Sequence, residues 1–321
     1  LISEVMGKNN GVSKGIGGSQ HLHANNFFSN GIQGGMMPIA AGKAFANKIN
    51  KKSSIVVIFV GDGTLGEGIF YETLNIASKW ELPILIVLEN NMYAQSTKIT
   101  ETISGTIEGR AHAFNIKYRL SDTWDWKQLI KESIYSVDWV RNNSKPLIFE
   151  VKTYRLNAHS KGDDNRDKKE IDTFVQKDPL NIILSKDSEF IRKTEQAINK
   201  RLNKSVANAE ADKNCQYNWK PLDQFINTSW KQIEFKSDRI SNLIHLALND
   251  QLELNNNTVI IGEDIEGPYG GAFKVTKDLS IKYPDKVKNT PISESTIVGM
   301  GTGLAMSGFY TVVEIMFGDF L

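Results

Sequence analysis

Two apolar runs, "SSIVVIFV" at residues 53–60 and "LPILIVLENN" at 82–91, constrain this chain more than any other feature. Both are strand-sized, β-branched and free of polar alternation, the pattern of strands buried on both faces of a parallel sheet. Between them Ile69, Leu74, Ile76 and Ala77 recur at roughly helical spacing. A strand, helix, strand unit predicts parallel neighbours joined by a right-handed crossover. A helix near residues 126 to 143 and a further run, "PLIFEVKTYR", extend the pattern, so the expected fold class is α/β with a doubly wound parallel sheet. Upstream, the first 50 residues are too rich in Gly and Asn for regular elements until a small-residue helix, "PIAAGKAFANKI", begins near Met37.

The character changes after "AHSKGDDNRDKKE". Residues 187 to 213 are polar, with a thin apolar stripe at Ile191, Ile198, Leu202 and Val206, and predict a surface helix. A linker with scattered aromatics, "NWKPLDQFINTSW", follows. Ser237 and Asp238 then stand where a helix cap belongs, ahead of Ile240, Leu243, Ile244, Ala247 and Leu248 on one face, and "TVIIGEDI" reads as a new strand. The expected organisation is a first domain over 1–165, a helical extension and linker over 166–236, and the start of a second α/β domain over 237–321.

Composition removes several function classes. With 38 Lys and Arg against 37 Asp and Glu there is no basic field for nucleic acid or anionic lipid. No apolar run approaches the ~20 residues of a membrane span, and "LISEVMGKNNG" is not a signal peptide. The single cysteine, Cys215, excludes internal disulfides and thiolate clusters by count and fits the cytoplasm. The chain starts at Leu1 and stops just after a completed apolar strand, so it reads as an internal segment of something longer.

Between the two runs lies "GDGTLGEG", residues 61 to 68. Alone, it is equally a tight turn or a phosphate loop. Asp62 ends one strand, and Asn90 and Asn91 end the next; if the strands are neighbours, their ends lie about 5 Å apart. One carboxylate with neutral oxygen donors is a ligand set for Mg²⁺, which fills its remaining positions with phosphate oxygens and water. The amides of Gly63, Thr64, Leu65 and Gly66 would open the following helix, whose amino terminus favours an anion. A Walker loop and an EF-hand are both ruled out by residue type. The dinucleotide pattern matches "GDGTLG" but lacks its acidic partner ~20 positions on.

The spacing of "GDG" and "NN", with residues 64 to 89 between them, is similar to the thiamine diphosphate motif. The wider chain resembles the decarboxylating first component of 2-oxo acid dehydrogenase complexes. "GVSKGIGGSQHLH", "NGIQGGMMPIAAG", "ENNMYAQST" and "TYRLNAHS" resemble blocks of its alpha subunit; "IIGEDI", "GGAFKVT", "NTPISE" and "EIMFGDF" resemble the start of its beta subunit. The chain therefore looks like an alpha-beta fusion cut at both ends.

The resemblance implies the following roles. Asp62, the Asn91 side chain and the Tyr93 main-chain carbonyl hold Mg²⁺, while Gly61, Gly63 and Thr64 belong to the diphosphate loop. Gly31 and Gln33 lie beside the aminopyrimidine through their main chain, and His159 stands on a loop beside the diphosphate. Glu294 hydrogen-bonds the pyrimidine ring and drives the tautomer that activates the thiazolium, with Glu263 in support. Asn157 stands where pyruvate-type alpha subunits commonly carry a histidine.

The implied reaction is oxidative decarboxylation of a 2-oxo acid, pyruvate-like, or acetoin cleavage. The acyl group passes to the lipoyl domain of a dihydrolipoyl acyltransferase, and the assembly is a homodimer of fused chains equivalent to alpha2beta2. A family histidine of the beta subunit would fall beyond Leu321, so the segment alone is expected not to turn over. The alternatives are a transketolase-like two-carbon transfer and a non-catalytic cofactor-binding or assembly module.

Overall fold

The computed structural model describes residues 1–160, 162, 164–186, 188–216 and 239–320. The chain divides into two compact units, Leu1–Ile32 with Ile183–Asp238 and Gln33–Ile182 with Arg239–Leu321.

In the first unit a glycine-rich loop is organised by one carboxylate. Glu4, in the short helix Ile2–Val5, is buried and accepts the amides of Ser13 at 2.7 Å, Gly15 at 3.0 Å and Gly17 at 2.7 Å. Burial works to raise its pKa, but those amides outweigh it and hold the carboxyl below its ordinary value. A two-residue ladder pairs His23–Ala24 with Phe27–Phe28. The expected surface helix spans Glu189–Ala211, and Ile198, Leu202 and Val206 on its stripe are exposed.

The second unit is the doubly wound body. Strands β1 (Val56–Gly61), β2 (Ile84–Asn90), β3 (Lys117–Asp122) and β4 (Leu147–Lys152) form a parallel sheet in the order β1-β2-β4-β3. Helices α1 (Met37–Ile49) and α2 (Gly68–Lys79) cover one face over Ile58, Val60, Ile84, Ile86 and Leu88; α3 (Trp126–Asn143) covers the other over Leu85, Val87, Leu147 and Phe149.

Two expectations need correcting here. The run at 53–60 is not buried on both faces: β1 is an edge strand whose Val57 and Phe59 are 41% and 65% exposed, because α3 covers β2 and β4 but stops short of it. Nor do the amides of Gly63 to Gly66 open the following helix. Asp62–Gly66 is its own 3-10 turn, and the extended backbone of Glu67 (ψ 128°) separates it from α2.

Beyond α4 (Lys168–Lys177), helix α5 (Ile240–Leu254) and the short helix α6 (Leu279–Lys282) accompany the strands β5 (Thr258–Gly262), β6 (Val287–Asn289) and β7 (Tyr310–Glu314). These form a second parallel sheet in the order β6-β5-β7. The expected cap at Ser237 and Asp238, and the aromatic linker before it, lie outside the described residues. Between β6 and β7 runs α7 (Glu294–Ala305), which packs against α1 so closely that only glycine fits. A Cβ on Gly303 would sit 2.2 Å from the Ile39 carbonyl oxygen, and one on Gly299 would sit 2.4 Å from Pro38 Cγ. Thr296 of α7 also donates to the Glu72 carboxylate of α2 at 2.9 Å.

Candidate functional site

The parallel register of β1 and β2, which pairs Gly61 with Glu89, brings the two expected strand ends side by side at the carboxyl edge of the sheet. Asp62 follows Gly61 there and is only 1% exposed. Its Oδ2 is buried with no hydrogen-bond partner. Burial pushes the carboxyl up to about 6, against the pull of the amides of Asp62, Gly63 and Met92 and of the Arg155 charge. An orphaned carboxylate oxygen at a sheet edge is a strong local penalty unless a cation or proton meets it.

The turn after β2 carries the second donor group. Asn91 Oδ1 accepts the Tyr93 amide at 2.9 Å, the closed turn of an Asn after a strand, and keeps a second lone pair. Asn90 Oδ1 accepts the Met92 amide at 3.1 Å while its Nδ2 donates to Glu150 at 2.8 Å. Met92, between Asn91 and Tyr93, has φ 70°, a left-handed conformation uncommon for a non-glycine residue. Gly63 faces this turn: a Cβ there would stand 3.3 Å from Ala94 Cβ, so the loop and the turn are in near contact.

Thr64 is buried and donates to Gln33 Oε1 at 2.6 Å. The side chain of Gln33, expected to matter less than its backbone, thus fixes the loop directly. His159 is exposed on the segment after β4. Gly31 belongs to the first unit, where a Cβ would meet the Gln20 side chain at 2.6 Å.

Glu294 is the first residue of α7 and is half-buried. Among the described residues its carboxylate makes no hydrogen bond. Ser293 precedes it but makes no side-chain cap; instead Glu263 Oε1 accepts the Ser293 amide at 3.1 Å. Glu263 thus holds the backbone immediately before Glu294. Glu314, unforeseen from sequence, ends β7 opposite Gly262 with its Oε2 buried and unpartnered. Burial and the neighbouring charge of Glu263 raise its pKa. It satisfies the same criterion that singled out Asp62, an acidic residue closing an apolar strand.

Among the described residues no three His, Cys, Asp or Glu side chains gather as a metal cluster. The donors that fit a cation here are one carboxylate with amide and carbonyl oxygens, a hard set suited to Mg²⁺ rather than zinc. The orphaned Asp62 oxygen supports that fit.

Parallel sheets with acidic and amide side chains at the carboxyl edge define a class of ligand-binding α/β proteins. The chain belongs to the Dehydrogenase E1 component family, which it matches over residues 1–218, and residues 239–321 match the transketolase pyrimidine binding domain. It is 39% identical over 189 residues to the pyruvate dehydrogenase E1 component subunit alpha of Rickettsia felis, covering 57% of this chain and 58% of that protein. To the same subunit of Zymomonas mobilis it is 36% identical over 170 residues, covering 52% of this chain and 48% of that protein. To the mitochondrial subunit of Dictyostelium discoideum it is 36% identical over 166 residues, covering 51% and 43%. The chain spans about half the length of these relatives. Among the described residues no helix is long and apolar enough to cross a membrane.

Proposed function

We propose that the protein is a thiamine-diphosphate-dependent decarboxylating component that oxidises a 2-oxo acid, pyruvate-like, or cleaves acetoin, in the cytoplasm. The single observation that carries this reading is the buried, unpartnered Asp62 oxygen beside the Asn91 turn. Asp62, Asn91 Oδ1 and the Tyr93 carbonyl would hold Mg²⁺. The loop Gly61, Gly63 and Thr64 would take the diphosphate, and Gln33 the aminopyrimidine. When bound, the cofactor supplies an electron sink for the bond to CO₂.

The chain's own residues orient, shield and move protons. Glu294, at the amino end of α7, would hydrogen-bond the pyrimidine ring and set its tautomer. Glu263, holding the Ser293 amide, fixes the start of that helix. His159 on its exposed segment would lie on the diphosphate side. The acyl group would pass to the lipoyl domain of a dihydrolipoyl acyltransferase, in a homodimer of fused chains. We divide the chain into a diphosphate-binding domain over 1–165, a helical extension and linker over 166–236 and the start of a pyrimidine-binding domain over 237–321; the family matches, one ending at 218 and the next beginning at 239, support the last boundary.

The test uses the complete gene product. Thiamine diphosphate is titrated with and without Mg²⁺, and artificial-acceptor reduction is assayed with pyruvate, acetoin and branched-chain 2-oxo acids. Asp62→Ala should abolish Mg²⁺-dependent binding. Glu294→Gln should bind within about threefold yet lose at least about 10²-fold in rate. Retention of the full rate by Glu294→Gln would overturn its role.

A further inference from the structure

The Tyr93 side chain, on the turn just described, is 4% exposed, and its hydroxyl donates to Glu170 Oε1 at 2.8 Å. The same oxygen accepts the hydroxyl of Tyr154 at 3.0 Å. Glu170 sits on α4, Tyr154 follows β4, and Tyr93 follows β2, so one carboxylate ties together three segments distant in sequence. The two rings meet edge to face at 6.3 Å, and the Arg166 guanidinium lies over both, 5.6 Å from Tyr93 and 5.0 Å from Tyr154. Tyr154 also stacks on Phe174 of α4 at 3.9 Å. Lys98 Nζ stands 3.7 Å from the other Glu170 oxygen, and Arg155 donates to the carbonyls of Ala94 at 3.0 Å and Gln95 at 2.6 Å.

The turn needs such support. Met92, immediately before Tyr93, is left-handed, and non-glycine residues persist in such wells only where their surroundings over-determine them. A tyrosine held at its backbone by the Asn91 turn and at its hydroxyl by Glu170 has few ways to move.

We propose that Glu170 is a positioning residue for the metal turn: by clamping the Tyr93 hydroxyl it sets where the Tyr93 carbonyl stands, and so governs metal and cofactor affinity rather than the chemical step. The proposal rests on the reading of Asp62, Asn91 and Tyr93 as metal donors. Groups that orient metal ligands from outside contribute about 10–100-fold to metal affinity. Glu170 bonds Tyr93 and Tyr154 and pairs with Lys98, and touches neither Glu294 nor His159, so its loss at saturating cofactor should leave kcat unchanged.

The experiment compares Glu170→Leu, Glu170→Gln, Tyr93→Phe and Asp62→Ala in the complete gene product. It reads Mg²⁺-dependent thiamine diphosphate affinity, and hydrogen exchange of residues 91–99 without ligand. Glu170→Leu should weaken affinity about tenfold or more and quicken exchange across the turn, with kcat at saturation unchanged. Glu170→Gln keeps an acceptor for both hydroxyls and should stay within about threefold. Tyr93→Phe should show the same weakened affinity and quickened exchange as the Leu variant, and the two together should be no worse than either. Unchanged affinity and exchange in Glu170→Leu, or a fall in kcat at saturation, would overturn the clamp. Equal cofactor binding by the unaltered protein and Asp62→Ala would instead overturn the metal reading, while the exchange data still judge the clamp.

Discussion

Gly42 of α1 lies against Met300 of α7 so closely that a Cβ on the glycine would stand 2.2 Å from the Met300 carbonyl oxygen. Backbone cannot yield as a flexible side chain can, so Gly42→Ala must push the helices apart along a seam that also holds Gly303 and Pro38. We expect a loss of about 2–4 kcal/mol, read as a lowered urea midpoint. Gly68→Ala is the control: nothing lies within 4 Å of its Cβ position, and its stability should change by less than about 1 kcal/mol. Equal midpoints for Gly42→Ala and the unaltered protein would refute this packing.

The buried Asp62 carboxyl makes the ligand-free protein pH-sensitive. Folded, it keeps its proton to about pH 6; unfolded, it releases it near 3.8. Between those values the folded state binds the extra proton, so its stability falls as pH rises through the window and stays lowered above it. Asp62→Asn removes the charge, and should flatten this slope and raise the melting temperature near pH 7 while abolishing Mg²⁺ binding. Superposable melting profiles from pH 4 to 7 for the two proteins would contradict the account.

The doubly wound body was legible because its signals are local: β-branched runs at 53–60 and 82–91 and helical spacing between them need no partner to be read. The strand ends at Asp62 and Asn91 followed from the crossover rule and stand where adjacency put them. What escaped depends on contacts far apart in sequence. Whether Phe59 is covered depends on how far α3 reaches across the sheet. Strand β3, "KYRLSD", has no apolar run to announce it. Glu150 and Glu170 look like ordinary surface carboxylates until tyrosines from other segments arrive.

Glu314 faces the charge of Glu263 with one oxygen buried and unpartnered. Its pKa is raised, first by burial and then by that charge, so it too destabilises the fold as pH rises above its unfolded value. Glu314→Gln should raise the melting temperature at pH 7 to 8 and leave it unchanged near pH 4, where both proteins are neutral at this position. A lower melting temperature at pH 8 would show that the carboxylate is met by something other than Glu263.

Glu150, 4% exposed in β4, accepts from Asn90 Nδ2 at 2.8 Å on one oxygen and from the Tyr118 hydroxyl at 2.6 Å on the other. Burial, then Glu150, raises the Tyr118 pKa, so the hydroxyl stays a donor. Asn90 has no freedom to turn its amide because its Oδ1 already holds the Met92 amide, so that side needs an acceptor. Glu150→Gln can meet it with its amide oxygen and donate its NH₂ to the Tyr118 hydroxyl oxygen, which accepts as well as donates, leaving that hydroxyl's own proton to be re-partnered. We expect it to cost about 1 kcal/mol, less than Tyr118→Phe at about 1–3 kcal/mol, which leaves one buried Glu150 carboxylate oxygen without a donor. Urea unfolding of both variants gives the order directly, and a Gln variant less stable than the Phe variant would show that Tyr118 cannot turn from donor to acceptor.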